Sequence, residues 1–215
     1  MKKVTIEIFS DYVCPFCWLA KPATSELTDS DPNVEIVWRA YELRPNPVPT
    51  LPPDGEYLHR VWNASVYPMA ESMGIPIKLP PIQPRSRLAH EAAHWARTLG
   101  KFEAMNAEIF RAFFERGENI GEIEVLISLA SALDLDSDSL RRALESREFE
   151  KSVIADEKEA ETLGLSGVPA FIANRNFALS GVQSFESLKM LVECAGFLSI
   201  CNAKIEDKKY RAAQD

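Results

Sequence analysis

The chain predicts a mixed α/β fold of order β-α-β, helices, β-β-α, in which a large all-helical insertion separates two strand-bearing parts. Three observations predict it. Residues 4–9, VTIEIF, alternate with period two, and residues 34–41, VEIVWRAY, are rich in β-branched and aromatic side chains, so both read as strands around a helical stretch. From Arg85 to about Leu163 apolar residues recur instead at three- and four-residue spacing, the period of helices. Two short β-like runs follow, Ala170 to Ala173 and Asn176 to Ser180, and then a last helical pattern, FESLKMLVECAG.

The first strand, residues 3 to 9, puts Val4, Ile6 and Ile8 on one side and Thr5, Glu7 and Phe9 on the other. LAKPATSELTDS reads as a helix through Leu27 that Pro22 bends or interrupts, and Asp31-Pro32-Asn33 is a turn. Five prolines between 45 and 53 and four between 76 and 84 predict ordered loops, with a short helix around Tyr57 to Tyr67 at the entry to the insertion. The insertion itself reads as four or five helices separated by Gly100, Gly117, Gly121 and the Asp134 to Asp138 cluster. The final helix carries a stop signal at Gly196, and residues 202–215 have little to bury and read as a loosely held tail. The resulting division is a discontinuous strand-bearing domain, 1–56 and 150–200, a helical insertion domain, 57–149, and a C-terminal tail, 201–215.

Composition narrows the function. With 215 residues and 46% apolar content the chain can bury a real core. Four cysteines are too few for a scaffold built on disulfides, which leaves the thiols free for chemistry. MKKVTIEIFSDY has no apolar export segment, and no run of about 18 uncharged apolar residues follows, so the expectation is a soluble cytoplasmic protein with mostly reduced thiols. A net charge of −8 argues against phosphate-backbone binding, and neither nucleic acid nor membrane is expected as a partner.

The stretch DYVCPFCWLA, residues 11–20, places Cys14 and Cys17 at the start of a helix directly after a strand. Cys14 falls at the N-cap or first position, where free backbone N–H groups and the positive end of the helix stabilise a thiolate. Cys17, one turn further in, is close enough to close a disulfide and better buried, the place for a resolving thiol. Pro15 fits the first turn, where its missing N–H is no loss. Thirteen of the 14 prolines lie at or before residue 84, and the remaining one, Pro169, follows Gly167-Val168 and starts a strand. Two plain alternatives accompany this reading: the pair as small buried apolar residues, or as half of a structural zinc site, for which Cys194 and Cys201 are spaced too widely.

The order of elements, with Cys14-Pro15-Phe16-Cys17 after the first strand and Gly167-Val168-Pro169 before the third, resembles the DsbA-type branch of the thioredoxin fold. F-x-D-x-x-C-P-x-C-W at 9–18 and GVPAFIANRNFALSGVQSFESL at 167–188 are similar to its FrnE-like intracellular members. The resemblance implies a thiol-disulfide oxidoreductase with Cys14 as nucleophile, Cys17 as resolving thiol, Pro169 as a facing cis-proline and Val168 lending its backbone to an extended substrate. It implies protein or peptide thiols and disulfides as substrates, no resident cofactor, and glutathione or a dithiol protein as electron partner. Pro-Phe stands where the strongly oxidising members have Pro-His, so the redox direction is left open. A related branch, the kappa-class glutathione transferases and 2-hydroxychromene-2-carboxylate isomerases, shares the architecture but has serine where Cys14 stands.

Other motifs compete. His90-Glu91-Ala92-Ala93-His94 matches the helical H-E-x-x-H of zinc hydrolases, but no later histidine supplies a third ligand, and no metal is expected. Asp134, Asp136, Asp138 and Glu145 fit the spacing of a calcium loop, although Ser139 replaces the required glycine; capping of a helix that starts there is the better account. Cys194 and Cys201 read as buried or half-buried thiols, with an auxiliary redox pair as the alternative. Tyr12 and Phe16 are candidates to face substrate.

Overall fold

The computed structural model describes residues 3–197. Four strands form one mixed sheet in the order β2-β1-β3-β4, where β1 is Val4–Ser10, β2 Val34–Ala40, β3 Ala170–Ala173 and β4 Phe177–Ser180. Strand β1 runs parallel to β2, with Ile6 opposite Ile36, and antiparallel to β3, with Phe9 opposite Ala170. As the central strand it is covered on both faces, which is why its second face, read from sequence as Thr5, Glu7 and Phe9, is also largely buried. On one face Val4, Ile6 and Ile8 pack against Ala23 and Leu27 of α2 (Lys21–Ser30) and against Leu188, Leu191 and Val192 of a helix spanning 185–197. On the other, Phe9 and Ile172 meet Ala160 of α9 (Glu150–Thr162). Glu7, buried in that second face, is neutralised by Arg39 at 2.7 Å and Arg175 at 3.3 Å.

The helix expected through Leu27 is two helices, α1 (Pro15–Leu19) and α2, because Pro22 cannot donate back into the first one. After β2 the proline-rich loop leads into α3 (Glu56–Val61), a π-helical turn at Trp62–Val66 and α4 (Tyr67–Met73). Four helices, α5 (Arg87–Thr98), α6 (Phe102–Phe114), α7 (Ile123–Ala132) and α8 (Ser137–Glu145), then surround an aromatic core. Phe110 is its centre, stacked 5.7 Å from Trp18 and 6.3 Å from Phe114 and tilted 4.8 Å from Tyr12. The cysteine turn and the helical region therefore share one apolar cluster.

Gly100 ends α5 as expected: at φ +66° it lets its own N–H reach Arg97 and the N–H of Lys101 reach Ala96, closing a Schellman motif. The aspartate cluster divides its work. Asp134 takes the left-handed conformation after α7, while Asp136 caps α8, its carboxylate accepting the Ser139 N–H at 2.9 Å, and Asp138 lies in the first turn. Gly196 does not stop the last helix, which continues through residue 197; buried Ala195 holds this turn against the sheet. Cys201 and the expected tail lie outside the described residues.

Candidate active site

Cys14 occupies the N-cap of α1, with extended backbone (φ −91°, ψ 112°) and Pro15 in the first turn. No backbone N–H of this five-residue helix is hydrogen-bonded to the Cys14 sulfur, so the helix end acts on it only as a short, weak dipole. The Cys14 thiol is 4% exposed and donates to the Val168 carbonyl at 3.5 Å, which brings together two positions far apart in the chain. The Val168–Pro169 peptide bond next to it is cis.

Cys17 lies one turn deeper, 1% exposed. Both cysteines are free thiols. Burial pushes the Cys17 thiol well above its ordinary pKa; the neighbouring Cys14 pushes the same way, and the Asp11 N–H donated to its sulfur at 3.5 Å opposes them only in part. The chemical asymmetry of the pair thus has a structural cause: the inner sulfur is held as a thiol.

Asp11, unassigned by sequence reasoning, anchors this turn. Fully buried, its carboxylate accepts the Val13 N–H at 3.3 Å and the Leu43 N–H at 2.7 Å, tying the cysteine turn to the loop after β2. His90 Nε2 stands 3.5 Å from the same carboxylate. The F-x-D-x-x-C spacing was the only local sign of this role; its partners come from distant segments.

The remaining candidates separate. Phe16 and Pro15 line a pocket of about 260 Å³ on whose wall Cys14 sits. Tyr12 does not face it: the ring is buried between His90 and Phe110, both at 4.8 Å, and burial raises its pKa far above the usual phenol. Val168 and Pro169 line a second, open groove with Ala178 to Gly181 beside β4. Cys194, expected to be at least half-buried, is exposed on the last helix, whose other face packs on the sheet.

The H-E-x-x-H residues turn to separate partners. His90 meets Asp11, His94 meets Asp156 at 3.1 Å, and Glu91 lies 3.3 Å from Arg147. Among the described residues no group of three or more histidine, cysteine or acidic side chains is placed to hold a metal ion.

The family model described as DSBA-like thioredoxin domain matches residues 5–193. The chain belongs to that family. The uncharacterized protein YwbO of Bacillus subtilis (strain 168) is 38% identical over 173 residues, which are 79% of this chain and 86% of that protein. Among solved structures, a probable DsbA oxidoreductase, SCO1869, from Streptomyces coelicolor is 25% identical at a TM-score of 0.76, over 89% of each chain. A 2-hydroxychromene-2-carboxylate isomerase shares the fold at 19% identity and a TM-score of 0.72, over 94% of this chain and 98% of its own. So does the cytosolic disulfide reductase DsbM from Pseudomonas aeruginosa, solved with GSH, at 20% identity and a TM-score of 0.66, over 93% and 99%. Among the described residues no helix is long and apolar enough to cross a membrane.

Proposed function

We propose that this DSBA-like chain is a thiol-disulfide oxidoreductase of the FrnE-like kind, acting on protein or peptide cysteines through Cys14 and Cys17. The observation that carries the reading is the seating of Cys14: an N-cap sulfur on a pocket wall, 3.5 Å from the Val168 carbonyl, with an unbonded partner thiol one turn behind it.

In the reducing direction, the Cys14 thiolate attacks one sulfur of a substrate disulfide; an enzyme–substrate S–S bond forms, the substrate S–S bond breaks, and the leaving thiolate takes up a proton. Cys17 then loses its proton and attacks Cys14, releasing the second substrate sulfur as a thiol. Two electrons have passed from the dithiol to the substrate. The reverse sequence oxidises a substrate dithiol, and the difference in reduction potential sets the direction. Val168 and Pro169 position the substrate backbone beside Cys14, and no resident cofactor takes part. Glutathione or a dithiol protein supplies or removes the electrons; the GSH in the DsbM structure supports that choice, and that protein's cytosolic description supports a cytoplasmic setting.

Insulin reduction and refolding of a scrambled substrate test this reading. Cys14→Ser should abolish turnover, and Cys17→Ser should stall at mixed disulfides; undiminished turnover in Cys14→Ser would overturn it. A second reading, glutathione-dependent isomerisation, draws on the shared fold of the chromene-carboxylate isomerase and on the pocket beside residue 14. Turnover of a chromene carboxylate with glutathione, and none of disulfides, would put it first.

A further inference from the structure

The pocket beside Cys14 carries more information than the cysteine pair. Its walls are Phe16, Leu51, Leu58, Val61, Trp62 and Phe114, brought together from α1, the proline-rich loop, α3, the π-helical turn and α6. At about 260 Å³ it falls below the ~300–1,000 Å³ of sites for drug-sized ligands, so it holds one ring or branched side chain rather than a whole ligand. Apolar surface continues at its mouth, where Tyr57 is 53% exposed and Leu43 40%. Arg44 is the single charged residue in the lining. Among the described residues its guanidinium has neither a hydrogen bond nor an ion pair, in a chain whose net charge is −8. A half-buried cation left unpaired among so many acids invites an anion from outside.

We propose that this pocket selects the substrate: it receives an apolar side chain two residues from the reacting cysteine of a peptide disulfide, and Arg44 pairs with a carboxylate of the same peptide. This rests on the oxidoreductase reading, because Cys14 on the pocket wall fixes where the substrate sulfur must stand. In an extended peptide side chains alternate, so the residue that shares the cysteine's side is the one two positions away, roughly 7 Å along the strand. A cysteine presented to Cys14 therefore sends that neighbour, and not the adjacent residue, toward the pocket. The preferred segment reads as aromatic or branched apolar, any residue, cysteine, with Asp or Glu close by.

Disulfide-linked dimers of short peptides test it, with dithiothreitol as terminal reductant. The residue two from cysteine is Phe, Gly or Lys, and the flanking residue Asp or Ala. The expected result is a kcat/KM for Phe about 10- to 100-fold above Gly, the discrimination an apolar pocket typically reaches, with Lys at or below Gly. Asp should improve on Ala, and Arg44→Glu should reverse that order. Val61→Phe, at a half-exposed wall position, should fill the pocket and collapse the Phe-to-Gly ratio. Equal kcat/KM across the peptides in wild type would overturn the pocket while leaving the thiol chemistry standing. Turnover of none, by a folded chain, would remove the oxidoreductase reading itself.

Discussion

Glu91 gives the fold a pH dependence whose sign can be worked out. The residue sits in α5 at 0% exposure, neither carboxylate oxygen has a hydrogen-bond partner among the described residues, and the Arg147 guanidinium stands 3.3 Å away. Burial raises its pKa from an ordinary 4.5 to about 7, with Arg147 and Arg87 opposing the rise and Glu150 and Glu42 adding to it. The unfolded chain releases this proton near pH 4.5, the folded chain only near 7. Between those values the folded state binds more protons, so stability falls as pH rises through the window. Below it the group carries no penalty, and above it the full penalty applies, about 3 kcal/mol at ~1.4 kcal/mol per tenfold change in proton affinity. Glu91→Gln keeps the shape and removes the titration. Urea unfolding at pH 5 and pH 8 is the assay. At pH 5 the variant and wild type should match; at pH 8 the variant should be more stable by about 3 kcal/mol, a figure from which the attraction of Arg147 is already subtracted. Glu157, also raised to about 7 by burial, is present in both proteins and cancels in the difference. Parallel stabilities at both pH values, or a less stable variant at pH 8, would show that the Arg147 pair outweighs burial and refute the reasoning.

Two further expectations concern stability. Phe110→Ala empties the middle of the stack between Tyr12, Trp18 and Phe114 and should cost about 3–5 kcal/mol in denaturant unfolding, with near-ultraviolet circular dichroism of the aromatic cluster reduced. Asp136→Ala removes the cap of α8 and should cost about 1 kcal/mol, whereas Asp136→Asn, which still accepts the Ser139 N–H, should cost little; equal losses would rule out capping as the role of this side chain.

The order of elements along the chain and the cysteine pair were readable in the sequence because both are local. Period-two alternation marks β1, β-branched content marks β2, and a proline directly after the first of two cysteines places Cys14 at a helix start. Family resemblance alone implied that Pro169 faces the cysteines and gave the Val168 backbone to substrate; the bond from Cys14 to the Val168 carbonyl is encoded by no pattern within either segment. What escaped is long-range. Tyr12 looked available beside the tetrad, but α5 and α6 close over it from far along the chain. Asp11 had a place in the F-x-D-x-x-C motif but no role, because its partners Leu43 and His90 come from distant segments. Cys194 looked apolar, yet helical geometry turns it away from the face that Leu188, Leu191, Val192 and Ala195 bury. The pocket is assembled from five separate segments, and the π-helical turn that brings Trp62 into it has no signature among the proline-rich loops.

The central claim is that the outer sulfur attacks and the inner one resolves. Mass mapping of the adduct that Cys17→Ser forms with a disulfide-linked peptide tests it most directly. The account expects one peptide per chain, bonded through Cys14 and released by dithiothreitol. A peptide bonded through exposed Cys194 with Cys14 left free, or no adduct on a folded chain, would contradict it.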